Sequence, residues 1–381
     1  MIRMRNPGKR AAALLVDALL RLLPAAGTSG PMAAPRVLVI RCDHLGDAIM
    51  ATAVLDPLRR ALAPARLDVL AGPWGEAIFR AHPAVDDVLV YATPWWLRAR
   101  GAGAGPWLAA WVRLPGLVRR IRGARYDCVI DLRGDLRHIF FFLATSGARE
   151  RVSSDRTGGR RLLTRCADYQ AGKHEVDQNA AVVAQLGAAG PYEPKLVPAR
   201  RTDEDADLPL LRDLPASGYV VFALAGTEEN RAWTPEHAAR VADHLWREHR
   251  LQAVIVGTAD DTDRADDVVR QASAPVVSLC GRTTMPQLLA VLAPARAAVV
   301  VDSGPMHAAA ALGVPTVALF GPGDPAECAP RLGHAVVLAT TAPCGCTHPR
   351  CDYTPGPGRC MRALDATRVI DALGPLLARP A

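Results

Sequence analysis

Short apolar runs alternate with longer amphipathic stretches along the chain from residue 36 onward. Amphipathic stretches with a helical period occur at 47–62 and 108–122. The apolar runs of the first half, rich in Val and Ile, lie at 36–41, 66–71, 86–91 and 126–131. Strands that alternate with helices in this way are typical of β-α-β units, and they predict a parallel sheet with helices on its faces.

The same alternation restarts after a polar, proline-bearing stretch at 198–215. A helix is predicted at 235–249, and the predicted strands lie at 219–225, 251–257, 274–279, 297–302 and 315–321. The predicted fold class is therefore α/β, with two Rossmann-like doubly wound domains that face each other across a cleft. The predicted domains are 36–205 and 206–381, and a separate segment over 1–35 precedes them.

Residues 1–35 are predicted to form a basic amphipathic segment and a linker. The apolar stretch 9–23 is flanked by arginine and lysine, and Asp17 and Arg21 interrupt it. A secretory signal or a membrane-spanning helix needs an uninterrupted apolar core, so neither is predicted. The stretch predicts an amphipathic helix that ends near Pro24 and packs either on the body of the protein or on a membrane surface.

Charge is distributed unevenly over the 381 residues. Residues 1–200 carry 29 basic and 17 acidic side chains, whereas residues 201–381 carry 16 basic and 21 acidic ones. Residues 113–165 alone hold 13 arginines against five acidic residues. A basic first half indicates an anionic partner, for which nucleic acid, an acidic membrane surface and a phosphorylated substrate are candidates. Nucleic acid is disfavoured, because aromatic residues are 5% of the chain and no recognition motif is present.

The first motif, RCDHLGDAIMA at 41–51, follows the first predicted strand. A strand, a tight turn and a helix start are the usual ligand site of such a fold, and Gly46 allows the backbone to approach a ligand closely. Asp47 stands at the helix start, where it either caps the helix or accepts a proton from an attacking hydroxyl group.

Two further motifs lie in the second half. AGTEENRAW at 225–233 places Arg231 just past a strand, where its guanidinium either holds a phosphate or pairs with a neighbouring glutamate. VDSGPMH at 301–307 runs from a strand into a helix whose first N–H groups form an anion site beside Ser303 and Gly304. His307 in the first helical turn adds a donor. This order is similar to a nucleotide-diphosphate cradle without a Walker motif.

Three motifs occur in order along the chain, namely HLGDAIMAT, NRAWTPEH and VDSGPMHAAAALGVPTVALFGPGDP. In these motifs the chain resembles glycosyltransferase family 9, the ADP-heptose:lipopolysaccharide heptosyltransferase family. The resemblance covers about residues 36–375. It implies the GT-B fold, with the acceptor on the N-terminal domain and the nucleotide sugar on the C-terminal one. It also implies inverting transfer of a heptose or related sugar, with ADP-heptose as the expected donor and no cofactor required for catalysis.

The resemblance also implies roles for individual residues. Asp47 corresponds to the proposed catalytic base. Arg231 is the second implied catalytic residue: it takes the place of a lysine of the same charge and would stabilise the departing diphosphate. The implied donor-binding residues are Gly226, Thr227, Asp261, Thr283, Asp302, Ser303, Gly304 and His307. The expected acceptor is an anionic lipopolysaccharide-core or other cell-envelope glycan, and the candidate acceptor-binding residues are Gly46, Arg133, Arg137 and His174. Attachment to the inner face of the cytoplasmic membrane is expected from the segment 1–35.

Four of the nine cysteines form a dense cluster, Cys344, Cys346, Cys351 and Cys360. The density suits a structural zinc site, although the spacings differ from the common C-x2-C pairs. A disulfide-like staple and free thiols are the alternatives.

Two competing functions stay open at the level of sequence. One is a nucleotide-sugar epimerase of the GT-B fold, which would not explain the basic first half. The other is a non-catalytic protein that binds anionic glycolipids, against which the presence of Asp47, Asp302 and His307 argues.

Overall fold

The computed structural model describes two compact units, Met1–Lys195 and Leu196–Ala381. The described residues are 7–20, 27, 30, 32–197, 214–215, 218–226, 228–332, 334–340 and 359–378. The domain boundary predicted between residues 205 and 206 lies outside them. Within the described ranges, no helix is both long enough and apolar enough to cross a bilayer.

The first unit is built on a six-stranded parallel sheet with the order β3-β2-β1-β4-β5-β6. Its strands are β1 (Arg36–Arg41), β2 (Arg66–Ala71), β3 (Asp87–Val90), β4 (Cys128–Asp131), β5 (Glu150–Ser154) and β6 (Arg165–Ala167). Alternate side chains of β1 enter different cores: Val37 and Val39 pack on one face, and Leu38 and Ile40 pack on the other. Burial on both faces explains why β1 is apolar without a break.

Helices cover both faces of this sheet. They are Pro7–Leu20, Leu45–Ala51, Leu55–Leu62, Glu76–Arg80, Pro94–Ala99, Ala104–Gly123, Leu136–His138 and Glu175–Ala184, together with a π-helix at Ile139–Ala144. The stretch predicted as helical at 47–62 is interrupted by a 3₁₀ turn at Thr52–Val54, where the Thr52 hydroxyl donates to the carbonyl of Ile49 at 2.7 Å. Such a side-chain bond back onto the preceding turn competes with the regular helical pattern.

The second unit repeats the architecture. Its sheet has the order β12-β11-β10-β7-β8-β9. The strands are β7 (Tyr219–Ala223), β8 (Gln252–Ile255), β9 (Val276–Ser278), β10 (Ala297–Val301), β11 (Thr316–Phe320) and β12 (Ala335–Ala339). The helices are Pro235–His244, Thr262–Gln271, Met285–Leu292, Gly304–Ala311, Pro325–Cys328, Arg359–Arg362 and Ala366–Leu377, with a π-helix at Leu245–His249.

The two sheets have the same topology when their strands are counted from the first strand of each unit. The strand order reverses between β1 and β4 in the first unit, and between β7 and β10 in the second. In open sheets of this kind ligands bind beyond the carboxyl ends of the two strands that flank the reversal. The segments that follow these four strands include the three motifs found in the sequence.

Candidate active site

Arg41, the last residue of β1, lies at the centre of a buried group of carboxylates. Its Nε is 2.8 Å from Asp43 Oδ1. Its Nη2 is 2.7 Å from Glu175 Oε1 and 3.1 Å from Asp47 Oδ1. Its Nη1 donates to the side-chain oxygen of Asn179 at 3.0 Å. A cation buried to this depth needs charge partners close by, and these three carboxylates provide them.

Asp47 stands in the first turn of the helix Leu45–Ala51, directly after Gly46. The backbone N–H of His44 donates to Asp47 Oδ2 at 3.3 Å, which completes a capping box at the helix start. The capping role offered by the sequence is therefore present. The Asp47 side chain is also 22% exposed, so a substrate hydroxyl can reach it while Asp43 beside it is buried.

The environment separates the proton affinities of these two aspartates. Burial and the negative charge of Asp43 raise the pKa of Asp47 to about 7, against the opposing effect of Arg41. Burial acts in the same direction on Asp43, but the guanidinium groups of Arg41 and Arg133 prevail and hold the pKa of Asp43 well below its usual range. A carboxylate that titrates near neutral pH next to one that stays ionised is a common arrangement for a general base.

Arg133 connects the end of β4 to this group. Its Nη1 is 2.5 Å from Asp43 Oδ2, so Asp43 is held between two arginines. Asp131, the last residue of β4, accepts hydrogen bonds from the backbone N–H groups of Gly134 and Asp135 and shapes the loop that carries Arg133. The ion pair between Arg133 and Asp43 therefore joins the segments that follow β4 and β1, the two strands that flank the reversal.

Arg137 and His174, both predicted to contact the acceptor, have clear structural partners. The Arg137 guanidinium pairs with Asp135 at 2.5 Å and lies over the ring of Trp95, 5.2 Å from its centre. His174 is buried at the start of the helix Glu175–Ala184, where its Nδ1 accepts from the N–H of Val176 at 3.2 Å. These contacts position the two side chains, and their role towards an acceptor stays a prediction.

The site of the second unit centres on Arg231 and Asp302. Arg231 Nη1 is 2.7 Å from Asp302 Oδ2, and its Nε is 3.1 Å from Glu228 Oε2. The pairing with a glutamate that the sequence offered is thus present, together with a second pairing across to the end of β10. Both partners leave part of the guanidinium edge free for other acceptors, because a guanidinium has five N–H donors.

Gly226, after β7, lies directly against the Asp302-Ser303 turn. A Cβ atom on Gly226 would lie 3.3 Å from the carbonyl oxygen of Asp302 and 3.3 Å from Ser303 Cβ, so a side chain there would crowd the turn. Ser303 stands at the N-cap position of the helix Gly304–Ala311, where its hydroxyl donates to the carbonyl of Val301 at 3.0 Å, and the first turn of this helix holds the buried His307. The structure therefore brings five predicted donor residues and Arg231 together at this strand reversal. Thr227 lies outside the described residues.

Asp261 and Thr283 lie at other positions of the second unit. Asp261 Oδ2 accepts from the N–H of Thr258 at 2.7 Å and from its hydroxyl at 2.9 Å, in a capping box. Thr283 is half-buried in the loop before the helix Met285–Leu292. Asp261 follows β8, which pairs with β7, and Thr283 follows β9, which pairs with β8. Their predicted contact with the nucleotide stays a prediction.

The predicted zinc cluster falls mostly outside the described residues, since Cys344, Cys346 and Cys351 lie there. Cys360 is described: it is buried next to Gly321, where a Cβ atom would come within 3.2 Å of its sulfur. In the part of the chain that the structure describes, no group of three or more His, Cys, Asp or Glu residues could hold a metal ion.

The sequence analysis gives no role to two charged residues of the first site, Arg41 and Glu175. Arg41 closes an otherwise apolar strand, and a charged residue at the buried end of such a strand is the signal that could have marked it. Glu175 directly follows His174 in KHEVDQN. Glu175 lies 134 positions after Arg41, so no local sequence pattern predicts their contact.

The sequence comparisons place the chain in a known class. The model of glycosyltransferase family 9 (heptosyltransferase) matches residues 115–353, and the chain belongs to this family. This membership confirms the predicted class, a glycosyltransferase, over the epimerase and the non-catalytic binding protein.

Individual relatives agree with that membership. Lipopolysaccharide heptosyltransferase 1 of Pseudomonas aeruginosa is 28% identical over 334 residues, which cover 84% of this chain and 88% of the relative. The solved ADP-heptose lps heptosyltransferase II of E. coli superposes with a TM-score of 0.71 at 22% identity, covering 90% of this chain and 98% of that one. E. coli heptosyltransferase WaaC with ADP gives 0.66 at 21% identity, with 90% and 99% covered. The predicted GT-B fold class is thereby confirmed.

Proposed function

We propose that this glycosyltransferase transfers a heptose, with inversion, from ADP-heptose to a hydroxyl group of an anionic lipopolysaccharide-core glycan. The carrying observation is Asp47, a carboxylate with a pKa of about 7 at the strand reversal of the first unit. The names of the relatives support the sugar and the acceptor class. One relative was solved with ADP, which supports the adenine nucleotide.

The first unit supplies the base in this proposal. Asp47 takes the proton of the acceptor hydroxyl as that oxygen forms a bond to the anomeric carbon of the heptose. The bond between the anomeric carbon and the diphosphate oxygen breaks on the opposite side, and its electron pair leaves with ADP. Attack from the opposite face inverts the anomeric configuration, which NMR of the isolated product would show.

The second unit stabilises the charge that develops on the departing diphosphate. Arg231 offers the guanidinium donors that Asp302 and Glu228 do not use, and the helix Gly304–Ala311 directs the positive end of its dipole to the same place. Preorganised donors of this kind commonly contribute about 10²–10³-fold to the rate. Asp302 fixes the guanidinium in place, because the pair is mostly buried.

The acceptor is proposed to bind near the end of β4. Arg133 lies next to Asp43 in the group around Arg41, and Arg137, four residues later, lies over the ring of Trp95. Phosphate or carboxylate groups of the inner core would pair with the exposed parts of these two guanidinium groups.

A comparison of nucleotides tests the donor. ADP, UDP and GDP, added side by side at equal concentration, should raise the melting temperature of the protein unequally, with ADP giving the largest increase. A ligand at 100 times its Kd stabilises the native state by about 2.7 kcal/mol, which is a measurable shift. Preferential stabilisation by UDP would move the donor away from ADP-heptose.

The cysteine cluster predicts a structural zinc ion. The reduced protein should contain about one zinc per chain by elemental analysis, and Cys346→Ser should lose it because a tetrathiolate site needs four ligands. Cys166→Ser, at a half-buried cysteine of β6 outside the cluster, is the matched control and should keep the metal. Near-zero zinc in the wild-type protein would remove the idea.

The segment 1–35 is proposed to attach the enzyme to the inner face of the cytoplasmic membrane, where a glycolipid acceptor would lie. The helix Pro7–Leu20 supports this, since Leu14, Leu15, Val16 and Leu19 are exposed on it. An amphipathic helix with apolar side chains on its free side is suited to the headgroup region of a bilayer.

A further inference from the structure

Exposed apolar side chains are concentrated on three elements of the first unit. Among the described residues ten large apolar side chains are exposed, and eight of them belong to Pro7–Leu20, Ala104–Gly123 and Ile139–Ala144. The helix Pro7–Leu20 contributes four. The others are Leu108, Trp111, Val112 and Phe140, of which Val112 is 79% exposed. Large apolar groups clustered in this way mark an interaction surface, whereas scattered ones do not.

A series of residue contacts connects the three elements. Asp17 of the first helix accepts from the N–H of Gly159 at 2.8 Å. Gly159 lies against Ile139, whose Cγ2 would be 3.3 Å from a Cβ atom at the glycine. The Phe140 and Phe141 rings are 5.2 Å apart, and the Phe141 and Trp111 rings are 6.0 Å apart. The three elements that carry the exposed side chains are thus connected to one another within the unit.

The helix Ala104–Gly123 divides its solvent side into an apolar half and a basic half. Ala110, Leu114 and Ile121 face the core. On the opposite side, positions 108, 112 and 119 follow one another at helical spacing, with 111, 115 and 122 beside them. The first half of this side carries Leu, Val, Trp and Pro, and the second half carries arginine. Between residues 88 and 126 the sequence has seven arginines and neither Asp nor Glu.

Arginine and tryptophan also pair around this helix. Arg98 lies over the ring of Trp107 at 5.7 Å, and Arg100 lies over the ring of Trp96 at 5.6 Å. Tryptophan prefers the boundary between hydrocarbon and water, and arginine binds the phosphate groups found there. The pairs are therefore suited to the headgroup region.

We propose that the exposed sides of Pro7–Leu20, Ile139–Ala144 and Ala104–Gly123, called here the apolar–basic face, dock on a bilayer that contains anionic phospholipids. The proposal deepens the membrane attachment proposed above for residues 1–35 and rests on it. A bilayer satisfies both halves of the face, since the acyl region takes the apolar side chains and the headgroups take the arginines. A two-fold dimer through this face would bring the basic helix of one copy against that of the other.

Vesicle binding of the full chain tests the apolar–basic face. The wild-type protein should co-sediment with phosphatidylcholine vesicles that contain phosphatidylglycerol, and less with phosphatidylcholine alone. Two double variants should each bind the anionic vesicles at least about tenfold more weakly than the wild type. One combines Leu108→Glu with Val112→Glu, and the other combines Arg119→Glu with Arg122→Glu. Val269→Glu, at an exposed apolar position of the second unit, is the control and should bind as the wild type does.

The outcomes separate this inference from the proposed function. If both double variants bind like the wild type, the apolar–basic face is overturned, although attachment through residues 1–35 alone would survive. If the wild-type protein binds no vesicle, both membrane proposals fail. If light scattering shows a dimer that Val112→Glu dissociates, a second copy covers the face and the inference is wrong. Transfer to a delipidated, water-soluble acceptor should be equal in all these proteins, and its absence would count against the transferase proposal instead.

Discussion

Asp47→Asn should lower kcat by about 10²–10⁴-fold, the usual contribution of a general base, while the affinity for the donor nucleotide stays unchanged. The amide keeps the size of the carboxylate but accepts no proton from the acceptor hydroxyl. Donor affinity should survive because Arg231, Asp302 and the helix Gly304–Ala311 belong to the second unit. Initial rates and nucleotide titration on the same preparation measure the two effects.

The pH dependence of the wild-type enzyme provides a second test of Asp47. With the pKa of Asp47 at about 7, kcat/KM should rise with pH on its acid side and level off above about pH 7. Stability should change in the opposite direction. The folded-state pKa lies above the value of about 3.9 for a free aspartate, so the native state binds the proton more tightly and the ionised carboxylate costs stability as the pH rises from about 4 to 7.

Asp47→Asn removes this cost, so the variant should resist urea at pH 8 at least as well as the wild-type protein. Asp56→Asn, in the first turn of the next helix, is the matched control and should keep its activity. Turnover of Asp47→Asn equal to that of the control would contradict the assignment of the base. A loss of activity accompanied by unfolding would assign Asp47 a structural role.

Arg41→Met should reduce the free energy of unfolding by about 3–5 kcal/mol, the usual cost of removing one partner of a buried ion pair. Methionine fills much of the same volume, but it leaves Asp43, Glu175 and Asp47 without the cation that they surround. Equilibrium unfolding in urea at pH 8 measures the loss.

The size of that loss should depend on pH. In the wild-type protein the pKa of Asp43 is depressed by Arg41 and Arg133, so this pair contributes stability above the unfolded-state pKa and loses it as the pH falls. The difference between Arg41→Met and the wild-type protein should therefore be smaller at about pH 3 than at pH 8, because the contribution is lost only below the unfolded-state pKa of about 3.9. Arg80→Met, which breaks an exposed pair with Glu76, is the control and should cost at most about 1 kcal/mol at either pH. Equal losses for the two variants would show that Arg41 is not the centre of a buried charge group.

Most of the strands could be predicted because their apolar runs are buried on both faces of a parallel sheet. β1 and β2 were predicted with the bounds that the structure gives. β5 and β6 were missed, since Glu150 and Arg165 belong to them and the runs contain serine, arginine and cysteine. β12 was also missed. The pattern of hydrophobic positions is weakest where a strand lies towards the edge of a sheet and is short.

The candidate sites were predictable to the extent that their residues are neighbours in sequence. Gly46 and Asp47 share a turn, as do Asp302, Ser303 and Gly304, so local motifs marked them. The charge balance around Arg41 could not be predicted, because it depends on how β4 and the helix Glu175–Ala184 pack against β1. A pKa depends on the fold around the group, and a motif does not contain that information.

The long sequence separation within the Arg41 group has a consequence for biosynthesis. Apart from the neighbouring Asp43 and Asp47, the partners of Arg41 follow it by 91 positions at Leu132, 134 at Glu175 and 138 at Asn179. At ordinary elongation rates the ribosome needs on the order of ten seconds to make that much chain. Until then β1 is an apolar strand that ends in a cation without its distant partners, so we expect that it cannot be buried completely. We therefore expect the first unit to consolidate late during translation, and the nascent chain to depend on chaperones over that interval.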